Sequence, residues 1–231
     1  MSAVRWMPLE SNPDVMNQFI ANLGVSRQYQ FTDVYGLDPE LLCMVPQPCL
    51  AVILLFPVSD KYAEFREEEA KRLIASGHQH SPNVFFMKQT IGNACGTIGV
   101  IHAIANCQDK VKIEDDSILS NFFKNSNSLT PADKGKQLES NEGIHDVHTT
   151  FAQQGQTASL SAEAHVDLHF VALVHVDGSI YELDGNKQFP INHGSSSEET
   201  FLEDAAKVCR EFMARDQSEL RFTIVAFSKV Q

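Results

Sequence analysis

From Ala94 to Asn106 the chain reads Ala-Cys-Gly-Thr-Ile-Gly-Val-Ile-His-Ala-Ile-Ala-Asn, and almost no side of that stretch is polar. Wound as a helix it offers water no face, so it has to lie at the centre of the fold with other elements packed around it. The sequence supplies that cover. Residues 50–56, Leu-Ala-Val-Ile-Leu-Leu-Phe, are a continuous apolar run of strand length. Residues 166–176 make a second strand, joined to a third at 179–184 by Asp177-Gly178, a strong two-residue hairpin signal. With 231 residues, 43% of them apolar, the chain can bury a sizeable core without staples. Helices and strands mix without a βαβ rhythm, and the clear strand pair is antiparallel. The expected class is therefore α+β, in a single domain over residues 1–231.

Further helices are expected over residues 13–23 (Asn12 as cap, Pro13 in the first turn), 39–44, 60–76, 116–126, 131–140 and 197–215. Further strands are expected at 29–35, 83–88 and 220–227. Residues 144–165 read as polar and non-periodic, either a functional flap or a disordered insert. A formal net charge of -12 argues against nucleic acid as a partner. No apolar run approaches the roughly 20 residues of a membrane helix, and the opening residues lack the apolar region of a secretory signal. Five cysteines, an odd number without a C-x-x-C pair, speak against a disulfide framework or a zinc knuckle. The expectation is a cytoplasmic monomer with reduced thiols, needing no metal or organic cofactor.

Cys95 stands in the first turn of the central helix, where the dipole and free backbone N–H groups favour a thiolate, the nucleophilic form. Gly96 keeps that end uncrowded. Taken alone, Cys95 could equally be a small core residue; the partners below tip the reading toward a nucleophile. Cys43, Cys49, Cys107 and Cys209 read as structural. Among the nine histidines, His102 lies two helical turns beyond Cys95, about 10 Å away and out of hydrogen-bond reach. His78, His80, His145 and His148 fall in polar stretches and are expected to be solvated; His193 is a loop residue without an evident partner. His169 lies inside the strand that is apolar on both faces, and a buried imidazole needs a partner. If Val176 pairs with Ser179, Val171 falls opposite Asp184. His169 is then diagonal to Asp184 on the same face, about 7–8 Å away at the backbone. An Asp bonded to one ring nitrogen and a thiol at the other is the layout of a Cys-His-Asp relay. His175, opposite Ile180 and diagonal to Glu182, is the rival pair. Gln89, at a strand end six residues before Cys95, is either an oxyanion donor or an ordinary surface amide.

The segment Gln89-Thr-Ile-Gly-Asn93-Ala-Cys95-Gly96-Thr-Ile-Gly resembles the active-site signature of the ubiquitin carboxyl-terminal hydrolases, papain-like thiol enzymes. The likeness continues at Asp167-Leu-His169-Phe, at Tyr181-Glu-Leu-Asp184-Gly and through Phe189-Pro-Ile-Asn-His193-Gly, at Arg5-Trp-x-Pro-Leu-Glu and at Asp33-Val-Tyr-Gly-Leu-Asp-Pro-Glu-Leu-Leu. It covers essentially the whole chain, and is most similar to the branch of small isozymes that also accept the neddylation modifier. The resemblance implies Cys95 as nucleophile, His169 as general base and acid, Asp184 as its orienter and Gln89 as oxyanion donor. It implies hydrolysis of amide, ester or isopeptide bonds at the C-terminal Gly of ubiquitin or a ubiquitin-like modifier, through a thioester and without a cofactor. It implies a papain-like fold with a six-stranded antiparallel sheet between helical lobes, a knotted backbone, and a crossover loop near residues 144–165 arching over the site. It suggests that Pro8, Leu9, Glu10, Asp33, Leu220 and Phe222 meet the modifier. A module that binds ubiquitin without cutting it, or a general papain-like peptidase, are the alternatives.

Overall fold

The computed structural model describes residues 4–155, 161–164 and 166–230. Its helices are α1 (Pro13–Asn22), α2 (Pro39–Leu42), α3 (Asp60–Ala75), α4 (Cys95–Ala105), α5 (Ile118–Ser126), α6 (Pro131–Glu139), α7 (Glu142–Ala152) and α8 (Phe201–Arg215). Its strands are β1 (Tyr29–Asp33), β2 (Cys49–Pro57), β3 (Leu168–Val176), β4 (Ser179–Leu183), β5 (Ile191–Ser195) and β6 (Thr223–Lys229). They form one six-stranded sheet in the order β1-β6-β2-β3-β4-β5, antiparallel at every pairing. This is the α+β architecture with a six-stranded antiparallel sheet that the sequence led us to expect.

Alternation along β2 explains why the sheet has two covered faces. Ala51 and Ile53 point to one side, into a large core with α1, α4 and α5. Val52, Leu54 and Phe56 point to the other, into a smaller core with Tyr62 of α3 and Phe201, Ala205 and Phe212 of α8. Ile53 and Leu54 are both wholly buried; each side chain so removed from water contributes about 1.5–3 kcal/mol. The apolar helix α4 lies against the sheet, with ten of its residues buried. Gly99 brings it close enough that an added methyl would sit 3.6 Å from Phe170 Cβ.

Three sequence expectations need correction. Residues 83–88 pair with no strand. Their backbone is served by helix side chains instead: Asn106 Oδ1 accepts from the Phe85 N–H at 2.8 Å and His102 Nε2 from the Met87 N–H at 3.1 Å. The stretch 144–165 is not all loop, since α7 occupies its first part, capped by Asn141 and burying Ile144, His148 and Phe151. That apolar face was hidden because one of its members is a histidine. His193 belongs to β5, a strand the turn-rich sequence around it did not announce.

Candidate active site

Cys95 opens α4. Asn12, Ser59, Ser117, Thr130 and Asn141 cap α1, α3, α5, α6 and α7 with side-chain oxygens, whereas Ala94 offers α4 none. The first N–H groups of α4 therefore have no side-chain acceptor at their cap and stabilise negative charge at the sulfur. Gly96, next along, is where Leu9 and Phe170 close in: a Cβ there would stand 3.1 Å from Leu9 Cβ and 3.3 Å from Phe170 Cε2.

His169 arrives from β3 and Asp184 from the end of β4. The hairpin register pairs Val176 with Ser179 and Ala172 with Leu183, which continues to Val171 opposite Asp184 as the turn predicted. His169 Nε2 lies 2.7 Å from Asp184 Oδ1. The same oxygen accepts the Asn186 backbone N–H at 2.8 Å. Asp184 is wholly buried and His169 nearly so. With Nε2 committed to the carboxylate, Nδ1 is the ring atom left for a thiol.

The electrostatics separate Cys95 from its siblings. Burial pushes the thiols of Cys49 and Cys209 up to about 12, and that of Cys107 higher still. Burial also pushes Cys95 up, but hydrogen bonding with His169, the charge of that ring and the backbone at Phe170 and Gly96 outweigh it and hold the thiol below its ordinary value. His169 shows the converse: burial lowers it, yet the Asp184 charge and hydrogen bond raise it, with Cys95 adding to the rise. A thiol drawn down beside an imidazole drawn up favours the thiolate–imidazolium pair. Cys43, read as structural from sequence, is exposed.

Gln89 donates its side-chain N–H to Ile91 O at 3.0 Å and its backbone N–H to Gly185 O at 2.9 Å. A Cβ at Gly185 would lie 2.9 Å from Gln89 Cβ, so that glycine lets the Asp184 turn and the Gln89 segment meet. Glu10 and Asp33 line one surface depression together with Asp14, an acidic patch. Pro8 is half-buried and Leu9 is in the core at 4% exposure. Leu220 is 86% exposed; Phe222 packs against the smaller core.

The rival pair does not form. His175 Nε2 contacts Ser196 O at 3.1 Å. Glu182 instead takes His193 Nε2 at 2.9 Å and Lys187 Nζ at 2.7 Å, and Lys187 also reaches Glu69 Oε2 at 2.5 Å. His193 thus has the partner it lacked on sequence grounds, and the buried cluster of Glu69, Glu182 and Lys187 went unforeseen.

His148, expected in solvent, is 1% exposed. Its Nδ1 meets Thr97 Oγ1 at 2.7 Å and its Nε2 meets Met7 O at 2.7 Å, while Trp6 packs on the ring at 4.6 Å. It joins α7, α4 and the N-terminal segment. Burial lowers both His148 and His102 to about 4. Unfolded, each would protonate near 6.5. As pH falls through that value the unfolded chain takes up two protons that the folded chain refuses, so stability declines from pH 6.5 toward 4. Below about pH 6 His169 is protonated in the folded and the unfolded chain alike, so it adds no slope there. Urea unfolding midpoints are expected to drop steadily between about pH 6 and 4.5; a flat series would contradict the burial of two neutral imidazoles.

A thiol at a helix start beside a carboxylate-held imidazole is an arrangement suited to cysteine hydrolase chemistry. The description "Ubiquitin carboxyl-terminal hydrolase, family 1" belongs to the family model that matches residues 6–214. Isozyme L1 of Rattus norvegicus is 49% identical over 96% of this chain and 97% of its own length, and the Homo sapiens isozyme L1 is 48% identical over the same shares. Among solved structures, the UCH37 catalytic domain of Trichinella spiralis bound to ubiquitin vinyl methyl ester superposes with a TM-score of 0.76 at 25% identity, covering 98% of this chain and 96% of that one. The chain belongs to the ubiquitin carboxyl-terminal hydrolase family and is an enzyme, a cysteine peptidase of that family.

Proposed function

We propose that Cys95, His169, Asp184 and Gln89 carry out hydrolysis at the C-terminal Gly of ubiquitin through a thioester on Cys95. The observation that carries this reading is the 2.7 Å contact of His169 Nε2 with buried Asp184, in a site where the partly buried Cys95 is the thiol whose proton is loosened rather than tightened. His169 Nδ1 takes the thiol proton, and the sulfur attacks the scissile carbonyl. The backbone N–H of Cys95 and the second side-chain N–H of Gln89 receive the oxyanion. The imidazolium then protonates the leaving amine, and a water activated by the same ring releases the acid.

The acidic depression of Glu10, Asp14 and Asp33 suits an Arg-bearing modifier tail, with Pro8 and Leu9 beside it. Leu220 and Phe222 supply an apolar contact. Asn93 Nδ2 donates to Ala162 O at 3.0 Å. This ties Ala162 to a point two residues before the nucleophile; residues 156–160 of the expected crossover loop lie outside the described residues, and slender or unfolded adducts are the leaving groups such a loop would pass. The neddylation modifier, with the same kind of C-terminal tail, is a second substrate. Five unpaired thiols fit a reducing cytoplasm, and the chain acts as a monomer. Membrane attachment through a helix is not built in: no described helix is long and apolar enough to cross one.

The test is turnover of fluorogenic ubiquitin and neddylation-modifier amides. Cys95→Ala is expected to abolish both while still binding the modifier. Undiminished hydrolysis by that variant would refute the assignment, and modifier binding without any hydrolysis by the native chain would make it a sequestering module.

A further inference from the structure

Asp184 has two oxygens, and the relay uses only one. Oδ1 receives His169 Nε2 and the Asn186 N–H at 2.7 and 2.8 Å. Oδ2, equally cut off from water, lies 3.4 Å from the hydroxyl of Tyr62. A buried carboxylate oxygen without a donor is costly, and a carboxylate held at one oxygen can still swing about its Cα–Cβ bond. Tyr62 is itself 3% exposed. Its ring is boxed by Phe56 at 4.7 Å and Phe212 at 6.2 Å, and Phe56 also presents its edge to the His169 ring at 5.9 Å. The hydroxyl therefore has little freedom to move away from Asp184.

Helix α3 otherwise faces solvent; its buried residues are Tyr62 and Glu69, seven positions and two turns apart, hence on one side. Tyr62 reaches Asp184, and Glu69 reaches Lys187 at 2.5 Å. Asp184 and Lys187 are the two ends of one turn, closed by the Lys187 N–H to Asp184 O bond at 2.9 Å. The helix grips both ends of the turn that presents the orienting carboxylate. We propose that Tyr62 is a positioning residue for the cleavage reaction, fixing the Asp184 carboxylate in the rotamer that holds His169, while the Glu69–Lys187 pair keeps α3 seated. The groups around the Tyr62 hydroxyl and ring are Asp184, Glu182, Arg215 and Arg66. The inference rests on Asp184 orienting His169.

Tyr62→Phe removes one oxygen and keeps the ring. Loss of one such hydrogen bond in the transition state corresponds to about threefold to tenfold in rate. The kcat on a ubiquitin amide is expected to fall by that factor with KM little changed. The pH midpoint for iodoacetamide alkylation of Cys95 is expected to rise, because a loosened carboxylate supports the imidazolium less well. In an Asp184→Ala background, Tyr62→Phe should cost nothing more. Unaltered kcat and alkylation midpoint in Tyr62→Phe overturn the proposal. So does an equal loss in both backgrounds, or a lowered melting temperature with no shift of the midpoint. If Asp184→Ala itself keeps full turnover, the failure lies with the underlying reading of the relay.

Discussion

Replacing His169 by Gln is expected to lower turnover of a ubiquitin amide by about three to four orders of magnitude, with modifier affinity retained. Two losses combine. General acid–base help is worth roughly 10²–10⁴-fold, and the thiolate forfeits the imidazolium that stabilises it. The hydrogen bond and charge of His169 are the leading influences that hold the Cys95 thiol down against its burial. Without them desolvation moves the sulfur in the direction of Cys49 and Cys209, which burial raises to about 12. Alkylation at neutral pH should therefore slow along with hydrolysis. A variant that loses hydrolysis but still alkylates as the native chain does would show that the thiolate owes its existence to the start of α4 rather than to the ring. Because Gln fills the cavity incompletely, the melting temperature and the binding of an uncleavable ubiquitin need measuring alongside, so that unfolding is not mistaken for lost chemistry.

The largest expected effect on stability comes from Lys187→Met. The ammonium is 6% exposed and lies between Glu69, at 5%, and Glu182, at 0%. Glu69 would lose its ion-pair partner and Glu182 the nearer of its compensating groups, keeping His193 at 2.9 Å and the field of Arg215. Breaking a buried pair from one side costs about 3–5 kcal/mol, which in a chain of this size means a melting temperature lower by about 6–20 °C. The direction is set by desolvation: burial opposes the charge of Glu182, and the Lys187 ammonium is the foremost influence that keeps it ionised. Neutralising all three members with a well-packed apolar set should restore much of the loss, since the net worth of a buried ionic cluster is small compared with the cost of halving it. A Lys187→Met protein that melts with the native chain would mean that water or a shift of α3 rescues the carboxylates.

The approach of His169 to Asp184 was legible in the sequence because a hairpin is a measuring device. Asp177 and Gly178 adopt φ values of 49° and 73°, the two successive left-handed residues of a tight turn, and once that turn is granted the register places His169 diagonal to Asp184 by counting. The central helix was equally legible, since an apolar surface on every side admits one location. What stayed hidden depends on partners remote in sequence. Residues 83–88 have strand composition, yet Asn106 and His102 serve their backbone from α4, 21 and 15 residues away. Helix α7 was obscured by His148, which counts as polar until Thr97 and the Met7 carbonyl satisfy both nitrogens. The Glu69–Lys187 contact spans 118 residues, and no local pattern distinguishes its members from surface charges. Glu10 and Asp33 were named from the resemblance; the fold adds Asp14 to the same depression.

The order β1-β6-β2-β3 has a consequence for biosynthesis. The last of the six strands in chain order is wedged between the first two, with Ile53 opposite Val225 on one side and Phe31 opposite Phe227 on the other. Until Thr223–Lys229 has been made, β1 has no neighbour and β2 has an open edge, while β2 is the strand that pairs Phe56 with His169. A nascent chain can wind its helices early, but its sheet closes only once Thr223–Lys229 has been made. The neighbour of the strand that carries His169 is therefore flanked on both sides only after β6 is in place.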